Sequence, residues 1–314
     1  MATDVPDAAE FDEILTETVD DRDLMLDELS VAELVALMND RDATIATAVR
    51  NELPTITTAI EAAAERMQRG GRLIYVGAGT SGRLGILDAS EIPPTFGTSS
   101  DLVLGLIAGG PNAIVSSVES AEDSEAAGAA DLDALSVGPL DTVVGIASSG
   151  RTPYVLGAVR QAGRLGALTV GLSCNTGTVL SAAVAHGIEV AVGPEIVTGS
   201  TRLGAGTATK MVLNMFSTIC MIRLGKTYRM LMVDVRATNA KLVRRAVRIV
   251  TLATGADDAR ATEALDAADW NAKLAIAIIA TGLSAAEART TLDAAGGVLR
   301  KVVAQAESNR DGSR

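Results

Sequence analysis

Five apolar runs recur between residues 72 and 193, and none of them alternates with polar residues: RLIYVGAG (72–79), LVLGLIAGG (102–110), DTVVGIASSG (141–150), ALTVGLSCN (167–175) and IEVAVG (188–193). A strand with one wet face alternates at every second residue, whereas a strand covered on both faces is apolar throughout. The stretches between the runs have helical spacing and the length of crossover helices. The pattern therefore predicts an α/β fold, a doubly wound, mainly parallel five-stranded sheet. In such folds ligands bind beyond the carboxyl ends of the strands, so the residues closing each run are the first candidates for function.

The flanks read differently. Residues 30–69 have helical spacing, opened by a capping-box pattern at Ser30 and Glu33 and closed by Gly70 and Gly71. Beyond Lys226 the strand pattern stops, and alanine-rich helical patterns occupy 237–251, 261–280 and 284–304. The expected organisation is a helical lead-in over 1–62 that packs on the main domain, the sheet domain over 63–226, and a small three-helix domain with a frayed tail over 227–314.

With 27 basic against 39 acidic residues the net charge is -12, and the basic residues are scattered, which argues against nucleic acid or an anionic membrane as partner. The charge-free stretch 165–188 is long enough to span a bilayer, but Gly, Ser, Asn and Thr interrupt it, so it reads as a strand, a loop and a short helix. The acidic N-terminus lacks an export signal, and Cys174 and Cys220 sit in apolar runs as small buried hydrophobes, so a cytoplasmic protein is expected. One histidine, His186, expected in a loop before the fifth strand, and two separated cysteines give no metal-ligand cluster.

The first run ends in Gly77-Ala78-Gly79-Thr80-Ser81-Gly82, which matches the dinucleotide fingerprint G-x-G-x-x-G. That reading also needs a carboxylate at the end of the second strand, and Ala108-Gly109-Gly110 has none. No Walker lysine follows, so a P-loop is excluded too. The third run ends in Ser148-Ser149-Gly150-Arg151-Thr152 and shares Ser-Gly-Arg with the first. Backbone N–H groups and hydroxyls at two such strand-to-helix turns favour a phosphate, with Gly79, Thr80, Ser81, Ser148, Ser149, Gly150, Arg151 and Thr152 as candidate binding residues.

These turns resemble the sugar isomerase (SIS) domain. GAGTSGRLGILDASEIPPTFG (77–97), VESAEDSEAAG (118–128), GIASSGRTPYV (145–155), GPEIVTGSTRLGAGTATKMVLNMFST (193–218) and MVDVRATNAKL (232–242) are similar, more narrowly, to the N-acetylmuramic acid 6-phosphate etherase family. The resemblance implies a cofactor-free lyase acting on a small phosphosugar, a homodimer, Glu91 as general acid and Glu122 as the base. Residue spacing alone does not separate Glu122 from Glu119 one helical turn earlier. The segment from Glu195 to Lys210, with Thr198, Ser200 and Thr201, is expected to form a third wall, with Glu195 and Ser200 near the substrate. Two departures stand out: Gly204 where the family usually has Lys, and a lead-in at 16–21 without the expected Arg-Asn pair. A sugar-phosphate-binding regulatory protein and an aldose-ketose isomerase are the alternatives.

Overall fold

Ser30 opens the first helix: its Oγ accepts from the Glu33 amide, and Glu33 accepts from the Ser30 N–H at 2.9 Å. In this computed structural model, which describes residues 14–20, 25–116, 118, 120–234 and 240–311, helices α1 (Val31–Asn51) and α2 (Leu53–Gln68) lead into the sheet. Pro54 in the first turn of α2 sets the break between them.

The sheet alternates with helices as the runs predict. β1 (Leu73–Gly77), α3 (Gly79–Phe96), β2 (Val103–Ile107), α4 (Glu125–Ala134), β3 (Thr142–Ile146), α5 (Pro153–Arg164), β4 (Leu168–Ser173), α6 (Val179–Ala182) and β5 (His186–Glu189) follow in order. All four pairings are parallel and the spatial order is β2-β1-β3-β4-β5. Every residue of β1, β3 and β4 is buried, which is why these runs lack alternation. The fifth strand begins two residues before the apolar run. His186 pairs with Val170 and is therefore in the strand, and the pairing stops when β4 ends at Ser173.

Two compact units result. The first holds the described residues up to Ser90 together with Asp101–Ser217, and the second holds Glu91–Ser100 and the chain from Thr218 onward. The helical lead-in thus belongs with the sheet, and the second unit also takes in the end of α7 (Gly204–Arg223). Within the second unit Gly97 lies so close to the Asp234 main chain that a Cβ there would fall 2.0 Å from the Asp234 oxygen. That contact draws 91–100 away from the sheet domain assigned to it by sequence.

In the second unit a short hairpin, β6 (Thr227–Tyr228) and β7 (Leu231–Met232), precedes five helices among the described residues where three are predicted. They are α8 (Ala240–Thr254), α9 (Asp258–Ala267), α10 (Ala272–Thr281), α11 (Ala285–Ala294) and α12 (Leu299–Asp311). Asp269 and Trp270 take left-handed backbone and split the second predicted helix, while Gly296 and Gly297 split the third. Alanine-rich periodicity runs through both breaks, so the pattern conceals them. Asp234 holds the unit's charged centre, accepting from Lys273 at 2.5 Å and facing Lys226 at 3.4 Å. No described helix is long and apolar enough to cross a membrane.

In the first unit, charge pairing fixes the sheet's rear edge. Asp141 accepts from the Arg72 amide, Nε and guanidinium and from the Gly138 amide, at 2.7–3.1 Å. Burial works against its ionisation, but these donors outweigh it and hold the carboxyl below its ordinary value.

Candidate active site

The connections from β1 and β3 leave in opposite directions, because β2 lies on one side of this pair and β4 on the other. Such a switch point opens a crevice beyond the carboxyl ends of the two strands. A cavity of about 410 Å³ occupies it. Gly79, Thr80 and Ser81 line it from the first turn, and Ser148, Ser149, Arg151 and Thr152 from the second. The N-termini of α3 and α5 both lie at this edge, so two helix dipoles put partial positive charge where an anion would sit.

The two turns are not structural copies. Helix α3 starts at Gly79, so Ser81, Gly82 and Arg83 are already helical, whereas α5 starts at Pro153 and Ser149-Gly150-Arg151 stays in the loop before it. Ser148 is held by its carbonyl, which accepts from the Cys174 amide at 2.9 Å and the Asn175 side chain at 2.8 Å. Gly150 has φ +68° and a Cβ there would lie 2.4 Å from Thr178, so it shapes the turn without lining the cavity.

Glu122 lines the same cavity, with Asp123 beside it. Both are on the single turn Ala121–Asp123, which Ser120 enters with left-handed backbone and Ser124 leaves as the cap of α4, accepting from Ala127 N at 3.1 Å. Glu122 also lines a second cavity, of about 360 Å³, that shares Ala78 and Gly79 with the first. Glu119 lies outside the described residues.

Two residues expected near the substrate line neither cavity. Glu195 is 1% exposed, and its carboxylate accepts from the Gly204 and Ala205 amides at 2.9 and 2.8 Å, capping α7. It positions the third wall from behind and lines neither cavity. Ser200 is half-buried in the preceding turn and also lines neither; Thr201 is the residue of this segment that reaches the larger cavity.

The comparisons with known proteins complete the picture. The glucokinase regulatory protein N-terminal SIS domain model matches residues 55–162. Over 281 residues the chain is 57% identical to N-acetylmuramic acid 6-phosphate etherase of Streptomyces coelicolor, covering 90% of each chain. Identity to the etherase of Streptomyces avermitilis is 55%, over 95% of this chain and 96% of that one. The Rubrobacter xylanophilus etherase is 58% identical, over 84% and 88%. The chain belongs to the N-acetylmuramic acid 6-phosphate etherase family.

In this etherase-family chain, Asp88-Ala89-Ser90-Glu91 lies on α3. Asp88 is half-buried, accepts from Tyr75 Oη at 2.9 Å and from Ser217 Oγ at 3.1 Å, and its carboxyl is pushed up from its ordinary value by burial, which those two bonds oppose. It pins α3 to β1 and α7. Glu91, one turn further along α3, is exposed and lines neither cavity. The departure at Gly204 has a local reading: its amide is one of the two that Glu195 caps, and a Cβ there would come within 3.1 Å of the Glu195 carboxylate. Lys210 is exposed on α7, and its charge favours ionised Asp88.

Sequence reasoning missed Ile14 and Glu17, which line the cavity from the N-terminal segment. Thr16 between them is fully buried: its amide donates to Asn175 Oδ1 (3.4 Å), its Oγ1 accepts from Asn175 Nδ2 (3.2 Å), and its carbonyl accepts from the Gly199 amide (3.0 Å). No periodicity marks so short a segment; its one signal was that 16–21 departs from the family pattern. The MVDVRATNAKL match lies partly outside the described residues, at 235–239.

Proposed function

We propose that the chain cleaves the D-lactyl ether of N-acetylmuramic acid 6-phosphate, giving N-acetylglucosamine 6-phosphate and D-lactate. The supporting observation is that one cavity brings Glu122 together with both hydroxyl-rich turns, in a chain that shares more than half its residues with etherases. The turns and the two helix N-termini would hold the 6-phosphate. With the sugar ring open, the ether oxygen on C3 is β to the C1 aldehyde. Glu122 takes the C2 proton, the electron pair forms the C2–C3 double bond, and the C3–O bond breaks. An acid returns a proton to the departing lactate oxygen, and water then adds at C3 while C2 is reprotonated. The family resemblance gives the acid role to Glu91.

Incubating the purified chain with N-acetylmuramic acid 6-phosphate and assaying D-lactate tests the proposal. Stoichiometric D-lactate is expected. A raised melting temperature with sugar phosphates but no D-lactate would instead assign a binding protein, and conversion of glucosamine 6-phosphate to a ketose an isomerase.

We also propose a cytoplasmic homodimer. Val31, Val35 and Met38 are 77%, 63% and 42% exposed on one face of α1, an apolar stripe that suits a second copy, and both cysteines are unpaired and buried, as a reducing compartment allows. Light scattering should give twice the chain mass, reduced by Val35→Glu; a monomeric wild type, or recovery of the chain from the culture medium, would overturn this.

A further inference from the structure

The substrate read above carries two anions, the 6-phosphate and the carboxylate of the lactyl group, and the structure has two cavities that meet at Glu122. The larger contains Arg151 and the hydroxyl-rich turns. The smaller, of about 360 Å³, is bounded by Ala108, Ala113, Val118 and Ala121 and by a single cation, Arg83. Arg83 is half-buried and its Nε donates to the Ile114 carbonyl at 2.9 Å, which fixes the plane of the guanidinium. No carboxylate among the described residues pairs with it, and its remaining N–H donors have the fork geometry that matches a carboxylate.

We infer that the smaller cavity is the leaving-group subsite, in which Arg83 binds the lactyl carboxylate and the small apolar wall receives the lactyl methyl. This rests on the etherase reading and extends it to specificity. The placement follows from the reaction: the proton leaves C2 and the ether leaves the adjacent C3, so a base between two cavities has the sugar on one side and the departing group on the other. Glu122, Ala78 and Gly79 are the residues common to both. The structural difference between the two Ser-Gly-Arg sequences gives the division: the helical Arg83 serves one cavity and the loop residue Arg151 the other. Arg83 would then also hold the lactyl ether so that its C3–O bond can break as the C2 proton is removed.

The test is a cycle in which the carboxylate is removed from the substrate and the guanidinium from the protein. N-acetylmuramic acid 6-phosphate is compared with the 3-O-ethyl ether of N-acetylglucosamine 6-phosphate, which lacks the carboxylate, in wild type and in Arg83→Met. For the wild type, loss of the carboxylate should lower kcat/KM by about 10- to 100-fold, the range of a hydrogen-bonded charge contact. The variant should lose the same factor on the natural substrate and treat both substrates alike within about threefold, while binding of N-acetylglucosamine 6-phosphate stays within about twofold of wild type. Equal preference for the carboxylate in both proteins would overturn the inference, as would loss of N-acetylglucosamine 6-phosphate binding, which would assign Arg83 to the phosphate. If the Met variant does not fold, Arg83→Lys takes its place and should show reduced discrimination. Absence of D-lactate from the wild type would defeat the etherase reading itself, whereas D-lactate from the wild type with no Arg83 dependence would defeat only the subsite.

Discussion

Glu122→Gln is expected to lower the rate of D-lactate release by about 10³-fold, within the range found for removal of a positioned general base. The amide keeps the shape of the side chain and cannot accept the C2 proton. Glu122 is exposed to the cavity and makes no hydrogen bond to another of the described residues, so the melting temperature should stay close to that of wild type. The measurement is steady-state D-lactate production, with exchange of the C2 proton into deuterated water as a second readout on N-acetylglucosamine 6-phosphate. Asp123 lines the same cavity and provides the comparison. Asp123→Asn should cost less than about tenfold, since it leaves the base in place. If Asp123→Asn or Glu119→Gln proves the more damaging change, the base has been assigned to the wrong carboxylate.

Gly128→Ala should have the largest effect on stability. Helices α4 and α5 cross at two glycines: a Cβ on Gly128 would fall 1.9 Å from the Tyr154 carbonyl oxygen, and one on Gly157 would fall 2.0 Å from that of Glu125. Both obstacles are backbone, so neither can rotate aside, and one methyl group forces the helices apart. Overpacking of this kind costs about 3 kcal/mol, equivalent to roughly 10 °C in a domain of this size. The separation would also strain the Tyr154 Oη to Asp131 hydrogen bond, 2.5 Å, and the Arg160–Glu125 pair. Activity should fall as well in the molecules that remain folded, because Glu122 lies just before α4 and Thr152 just before α5. Gly157→Ala should act alike, and the double variant should cost less than the sum of the two, since both relieve the same crossing. Two single variants melting within about 2 °C of wild type would show that the helices do not cross this closely.

The sheet was legible because burial on both faces leaves a direct mark on sequence. Leu73 to Gly77 and Thr142 to Ile146 are apolar, and the structure buries each of their residues. That Thr80, Ser81, Ser148, Ser149, Arg151 and Thr152 gather around one cavity was legible for a related reason: strand ends at a switch point open a crevice in such folds. Glu195 was not legible as a helix cap, because a carboxylate near a Gly-rich helix start has the same appearance in sequence whether it faces a cavity or caps the helix; its burial and its two amide donors are visible only in the structure. Gly128 and Gly157 looked like ordinary helix glycines, since the close crossing depends on two segments meeting in space. Ile14 and Glu17 stayed hidden for the same reason, because what brings them to the cavity is Asn175, far away in the chain.

That distance has a consequence for how the protein is made. Thr16 and the side chain that holds it are 159 residues apart, and its other partner, Gly199, comes later still. A ribosome therefore finishes β1, β3 and both hydroxyl-rich turns before the anchor for the first-made wall exists. The pocket floor can assemble while the wall of Ile14 and Glu17 is still waiting, so residues made before the sheet are among the last to take their place around the cavity.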